Sequence, residues 1–367
     1  PRCAIIPMGV NAAIACLPEY IMSNAVIGWY ARSFDPSKAS IRLRLLQPIR
    51  YLEEQGIETE PFDERKGVER YDAIIFSKSL HPKTLALARR VKALGKVVIF
   101  DICDNLFEGK EKPGKQMKAQ RLRDMLQLAD IVVFATATLQ ERIAGHVPPM
   151  KAMQLVIPDM LEDFEHPGAA SLRERLGVRR LRNFLDAHPD AMHCVWFGKC
   201  QGNKSGLVHV DAAVRELEHF ARSHKATLTI IGDRRFQYWK AARNWGVPHF
   251  YLPWALASFG PALQMHDVAL IPLERNGYTV GKSINRPATA IRAGLGVIAD
   301  SIPAYEELRP FIPLDDWQGG LSRYRHTHPR VEVGCEAARS HIAAVYGPIA
   351  VGKAWMDLVR HIADMSR

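Results

Sequence analysis

Along nearly the whole chain, short apolar runs alternate with longer amphipathic segments, and this alternation constrains the fold more than any other feature. In the first half the runs at 3–7, 73–76, 97–100, 131–134 and 155–157 are rich in Val, Ile and Phe and bounded by polar or turn residues, as strands are. Between them, 41–55, 82–94, 120–129 and 138–143 space their apolar residues three or four apart; Leu85, Leu87, Val91 and Leu94 show the period. Strands separated by helices cannot pair as hairpins, so the pattern predicts right-handed crossovers and a parallel sheet.

The second half repeats the grammar, with strands expected at 194–197, 227–231, 249–252, 268–272 and 297–299. Helices fit 208–224, 236–245, 257–266, 288–293 and 304–307. The polar stretch 158–190, punctuated by Pro167, Gly168, Gly177 and Pro189, reads as a helix-bearing connection. Ala350, Ala354, Leu358 and Ile362 recur every four residues, so residues 346–367 should end the chain as a helix. The expected architecture is α/β: two Rossmann-like, doubly wound parallel-sheet domains facing a cleft, with a C-terminal helix.

The 367 residues suffice for two cores, and 49 Lys and Arg against 39 Asp and Glu give a net charge of +10. That balance favours anionic company: nucleotides, nucleic acid or an anionic membrane surface. Six scattered cysteines suit a reducing cytosol rather than a disulfide framework, and the spacing of Cys194 and Cys200 is not that of a zinc knuckle. No apolar run was found that approaches the roughly 18 residues of a membrane span. Basic residues are not interleaved with aromatics as on an RNA-binding sheet, so no nucleic-acid partner is expected. Arg42, Arg44 and Arg50 read as a solvated basic helix face, or one turned to an anionic membrane.

In open parallel sheets ligands sit at the carboxyl ends of strands, so the post-strand loops carry the functional search. The segment 195–206 runs from a strand through Gly198, Lys199, Gly202, Asn203, Lys204 and Ser205 into a helix, where free N–H groups, the helix dipole and two lysines suit a phosphate. It nearly makes a Walker A loop, but Asn203 stands where that loop needs glycine. A second helix start carries Tyr278, Lys282, Ser283, Asn285 and Arg286; it suits an anion, or Ser283 and Asn285 are helix caps. Glu306 and Glu307 begin a further helix, where a carboxylate can accept from sugar hydroxyls or simply favour the dipole. In the first half, Asp101 and Asp104 follow a strand and suit a base, a cap or, least well, a cation; His81 is a base or a structural residue before Pro82. Trp254 and Tyr278 offer flat faces to a ring, or cover a core edge.

Taken in order, these segments resemble the GT-B glycosyltransferases, in particular the glycosyl transferase group 1-like enzymes. The carrying residues are Ser40 to Arg44, Tyr71 to Phe76, Gly95 to Asp101 and Ala129 to Val133, then Phe197-Gly198-Lys199 with Lys204, Lys282-Ser283-Ile284-Asn285-Arg286, Ala290, Gly294, and 297–299 with Glu307. The paired glutamates of that family are not preserved: Gly281 and Thr289 stand at their spacing. The resemblance implies an acceptor-side domain over 1–165, a donor-binding domain over 190–345 and a helix over 346–367 that packs back on the first. It implies sugar transfer from a nucleotide-diphosphate sugar to a glycan, lipid-linked or other acceptor, with no obligatory cofactor or metal. Gly198, Lys199, Lys204, Tyr278, Lys282, Ser283, Asn285 and Arg286 are then expected on the donor, with Glu306 or Glu307 on ribose or sugar. Asp101, His81 and Lys204 are expected at the reacting centre, and Arg42, Ser77 and Asp104 on the acceptor side. A cytoplasmic protein, compatible with peripheral contact at the inner face of the membrane, is the matching setting. The competing readings are a non-catalytic nucleotide- or glycan-binding protein of the same fold and a P-loop-like NTPase or kinase.

Overall fold

The structure, a computed structural model, describes residues 25–108, 116–166, 168–200, 206–330 and 332–365. The strands are β1 (Ile27–Tyr30), β2 (Thr59–Pro61), β3 (Ala73–Ser77), β4 (Val97–Ile102), β5 (Ile131–Phe134) and β6 (Met153–Val156) in the first lobe. The second lobe holds β7 (Met192–Gly198), β8 (Ala226–Gly232), β9 (His249–Pro253), β10 (Val268–Ile271) and β11 (Gly296–Ala299). Two sheets result, ordered β2-β1-β3-β4-β5-β6 and β11-β10-β7-β8-β9, and every pairing is parallel.

Parallel strands need crossovers, and the helices that supply them cover both faces of each sheet, so the strands are buried on both sides. Alternate residues of β7 show this: Val195 and Phe197 join one core, Cys194 and Trp196 the other. The first lobe divides likewise, with Ile75 and Ile99 on one side and Ile74 and Val98 on the other.

Several sequence expectations are corrected. The run at 3–7 lies outside the described residues. Strands β1 and β2 come instead from Ile27–Tyr30 and Thr59–Pro61, and residues 304–307 lie in a 3₁₀ turn over Pro303–Leu308. Helices Trp317–His326 and Val333–Tyr346 were not anticipated. Residues 333–364 are, among the described residues, a stretch long and apolar enough to cross a bilayer. Gly347 divides it, however, and many of its apolar residues are packed: Cys335, Ala338 and Ile342 on the second lobe, Val351, Trp355, Leu358, Val359 and Ile362 on the first, while Val333, Val345 and Ile349 are exposed.

The chain crosses between lobes twice, after β6 and again at Gly347. Leu161 N–H donates to the Tyr346 carbonyl at 3.1 Å, so the crossings lie side by side. Beyond the second, helix Pro348–Met365 packs on the first lobe, where Trp355 meets Trp29 with ring centres 5.0 Å apart.

Candidate functional site

The first-lobe helix begins at Ala39 and passes through a π-turn, Arg42–Leu46, before continuing to Glu54. Residues two apart point to nearly opposite sides of a helix. Arg42 and Arg44 are nonetheless both buried, because the interlobe crossing and the second lobe wrap the helix on more than one side. Arg44 donates from Nε and Nη2 to Asp101 Oδ1 at 2.8 and 2.5 Å, and from Nη1 to Asp159 Oδ1 at 3.1 Å and the Ile157 carbonyl at 2.9 Å. Burial works against its charge, but Asp101 and Asp159 outweigh it and push the guanidinium pKa up. Arg42 grips Glu162 with two bonds of 2.6 Å and lies 5.0 Å from the ring centre of Trp254 in the other lobe.

These arginines therefore do not form a solvated or membrane-facing helix surface. Their acidic partners lie 57 to 120 residues away, invisible to local periodicity. Asp101 is sealed on the same account: fully buried against Arg44, with Ser77 Oγ at 3.3 Å from its other oxygen, it is a structural ion-pair partner rather than a free base. His81 sits exposed at the start of the helix Pro82–Ala93 and accepts from Lys83 N–H at 3.3 Å, so it caps the helix.

Asp104 is placed differently, on the rim between the lobes. Lys78 Nζ lies 2.8 Å from its Oδ2, while from the opposite lobe Tyr278 OH donates to Oδ1 at 3.1 Å and Lys282 Nζ approaches it at 3.4 Å. Burial alone would raise this carboxyl, but Lys78 and Lys282 hold it well below the usual carboxylate range. Lys78 reaches it from a positive φ of 32°, a conformation a lysine adopts only when its surroundings enforce it. Cys103 Sγ lies 3.4 Å from the same ammonium, and burial pushes its thiol up to about 12. Further interlobe bonds run from Asn105 Nδ2 to the Gly277 carbonyl at 2.8 Å, Thr136 Oγ1 to the Gly281 carbonyl at 3.2 Å and Ser283 Oγ to Asp159 Oδ2 at 2.6 Å. In this closed arrangement Tyr278, Lys282 and Ser283 face first-lobe acids. Lys78 and Asn105 carried no signal in the sequence that could have singled them out.

At the carboxyl edge of the second sheet, Arg286 is held the opposite way. Its guanidinium lies over Trp196, 5.5 Å from the ring centre, and so close to Gly198 that a Cβ there would meet Nη2 at 2.7 Å. Nη1 is buried without a hydrogen-bond partner, and no acid pairs with Arg286 among the described residues. Burial accordingly pulls its pKa down. Trp196 Nε1 beside it is also buried and unpartnered. His209, whose Nδ1 accepts from Glu274 N–H at 3.2 Å, is close enough for its charge to interact with Arg286; burial lowers its pKa, and Arg286 adds to the effect.

The loop after β7 closes on Gly206, whose φ of 111° brings it so near the Lys199 carbonyl that a Cβ would sit 2.4 Å away. Lys199 is exposed at this edge. Lys204 and its neighbours 201–205 lie outside the described residues. Asn285 Oδ1 accepts from Thr289 Oγ1 at 3.2 Å within its own helix. Glu306 is paired with Arg309 at 2.7 Å, whereas Glu307 turns to Tyr346 and to His341, 3.3 Å away. Trp254 covers Phe259, at 5.8 Å between ring centres, under Arg42. Among the described residues no three His, Cys, Asp or Glu side chains converge as metal ligands.

Two doubly wound parallel lobes, with cationic loops at the carboxyl edge of the second, define the GT-B architecture, as the sequence order led us to expect. Solved structures share it. The trehalose-6-phosphate synthase of Burkholderia multivorans matches with a TM-score of 0.58 and 13% identity, over 88% of this chain and 82% of that one. The UDP-forming enzyme of Burkholderia xenovorans matches at 0.55 and 12%, over 86% and 85%. The N-terminal domain of a trehalose-6-phosphate phosphatase from Candida albicans matches at 0.51 and 10%, over 91% and 82%. At such identities the likeness is one of fold. No protein-family model matches the sequence, and no curated protein is similar to it.

Proposed function

We propose that this protein is a glycosyltransferase that moves a sugar from a nucleotide-diphosphate donor to an acceptor in the cleft between its lobes. The observation that carries the reading is Arg286: a half-buried guanidinium at the ligand edge of a Rossmann-like sheet, its Nη1 fully buried, with no acid to balance it among the described residues. A desolvated cation without a counter-charge is costly unless an anion completes it, and it is the missing side chain of Gly198 that lets this guanidinium lie against the end of β7. Two of the structural neighbours are trehalose-phosphate synthases, one of them UDP-forming, and a nucleoside diphosphate is an anion of the kind this guanidinium would meet.

In this reading the donor lobe spans 190–345 and the acceptor lobe 1–165, with 346–367 fastened to the latter. Arg286, Lys199 and Lys204 take the diphosphate, Lys282 joins them on leaving Asp104, and Tyr278, Ser283 and Asn285 line the approach. Glu306 or Glu307 takes a donor hydroxyl, the former on leaving Arg309 and the latter on leaving Tyr346 and His341. The bond from the anomeric carbon to the diphosphate oxygen breaks and one to the acceptor hydroxyl oxygen forms. Asp104, held ionised by two lysines, is a weak base, so the departing diphosphate is the better receiver for the hydroxyl proton. The cations stabilise the charge that develops on the leaving group without help from a metal.

A thermal-shift panel of UDP-, GDP-, dTDP- and ADP-linked sugars tests the reading, because a ligand that binds the folded state raises its melting temperature. One donor should stabilise the native protein and not Arg286→Met. If none does, the proposal fails; stabilisation without turnover over any acceptor would instead assign a binding role.

A further inference from the structure

Helix Leu172–Asp186 and helix Arg235–Ala241 pack on opposite faces of β9, the edge strand of the second sheet. Phe184 stacks on Phe250 at 5.4 Å between ring centres, and Tyr238 on Tyr251 at 5.0 Å. Helix Arg235–Ala241 opens just after β8 ends, at the cleft-side edge of the sheet. Helix Leu172–Asp186 finishes just before β7 begins, so its first turns also lie toward that edge.

The outward sides of both helices are cationic in an unbalanced way. Arg173, Arg175, Arg179, Arg180 and Arg182 are exposed, and none has an ion-pair partner among the described residues. The one acid in the same helix before Asp186 is Glu174, which is spent on the Ser171 capping box. Arg234, Arg235, Lys240 and Arg243 across the edge strand are likewise exposed and free of acid partners among the described residues, and nearby Asp233 accepts from Cys200 N–H. Several other surface cations are matched, as in Arg50–Asp163, Lys92–Asp130 and Arg309–Glu306. Among the unmatched ones stand large apolar side chains open to solvent: Leu172 at 67%, Leu176 at 44%, Phe236 at 70% and Trp239 at 54% exposure. Arg235 lies over Trp239, 4.8 Å from the ring centre, holding that indole outward.

We propose that this edge of the second lobe docks on an anionic lipid surface. Charge complementarity identifies the occupant. Each arginine near an anionic leaflet is attracted to it, an attraction screened within a Debye length. Isolated aromatic and aliphatic tips set in a basic field suit the headgroup level, where Trp and Phe are enriched, better than they suit a flat protein interface. Docking in this way sets the cleft mouth against the leaflet, where a lipid-linked acceptor would lie. The surface itself stands independently of the transferase reading.

Co-sedimentation with vesicles, run without any nucleotide, separates the two. Native protein should partition onto vesicles of phosphatidylcholine with about one-third phosphatidylglycerol, and leave them as salt is raised. Pure phosphatidylcholine should capture little. Arg179→Glu with Arg180→Glu and Arg235→Glu should lower partitioning at least about tenfold, and Phe236→Ser with Trp239→Ser should lower it even at low salt. Unchanged circular dichroism and melting temperature would show that these variants fold; should they not, the salt titration of native protein still decides. Equal binding to neutral vesicles, partitioning indifferent to salt, or patch-dependent binding of polyuridylate RNA without vesicle binding would each overturn the proposal.

Discussion

Each lobe places an arginine beside the carboxyl end of its sheet, and the two are held in opposite ways. Arg44 in the first lobe is completely buried and fully answered by Asp101, Asp159 and a backbone carbonyl. Arg286 in the second has an aromatic ring beneath it and, among the described residues, no acid beside it. A buried charge with its counter-charges built in is architecture; one without them is, in the proposed reading, where a ligand's charge belongs. The same residue type, at the carboxyl edges of two parallel sheets, is therefore held in two different ways.

The comparison can be broken most forcefully at Arg44. Arg44→Met should strand Asp101 without its partner and cost about 3–5 kcal/mol of stability, read from denaturant unfolding. A cost near zero would erase the distinction. Arg286→Met should leave stability unchanged or improved while weakening binding of a nucleotide-diphosphate sugar by about 10- to 150-fold, the range for hydrogen bonds to charged groups, measured by titration calorimetry. Loss of stability with unchanged affinity would make both arginines structural.

A middle case sharpens the contrast. Asp104→Asn should loosen the interlobe contacts by about 1–2 kcal/mol, read as a larger radius of gyration in solution scattering. The Asp104 carboxyl is depressed in the folded protein, so its stabilisation is fully present above its unfolded value near pH ~4 and is lost as pH falls through the lower folded value. Opening on acidification should therefore begin below about pH 4 in the native protein and be absent in the variant. Glu306→Gln should change stability least, within about 0.5 kcal/mol, because its pairing with Arg309 is at the surface.

Most of the sheet was legible because strands such as Ile131–Phe134 are buried on both faces and read as unbroken apolar runs. Strand Thr59–Pro61 was not: as an edge strand it needs no apolar run and tolerates proline where a central strand would not. Ile27–Tyr30 is short and interrupted by Gly28, whose missing side chain admits the Tyr71 ring. In the site, Gly198 and Arg286 could be found because strand, glycine and helix start follow one another in sequence. The ties of Arg42 to Glu162 and Asp104 to Lys282 exist only after folding, so no local pattern announces them.

The paired crossings at Leu161 and Gly347 bear on how such a molecule moves. A single strand between lobes would permit swivelling about many axes, whereas two strands fixed side by side act like the two pins of a door and leave chiefly one swing. Helix Pro348–Met365 bolts the second pin to the frame through Trp355 and Trp29. Whatever enters the cleft, closure should bring Lys282 and Asp104 back to the same register each time.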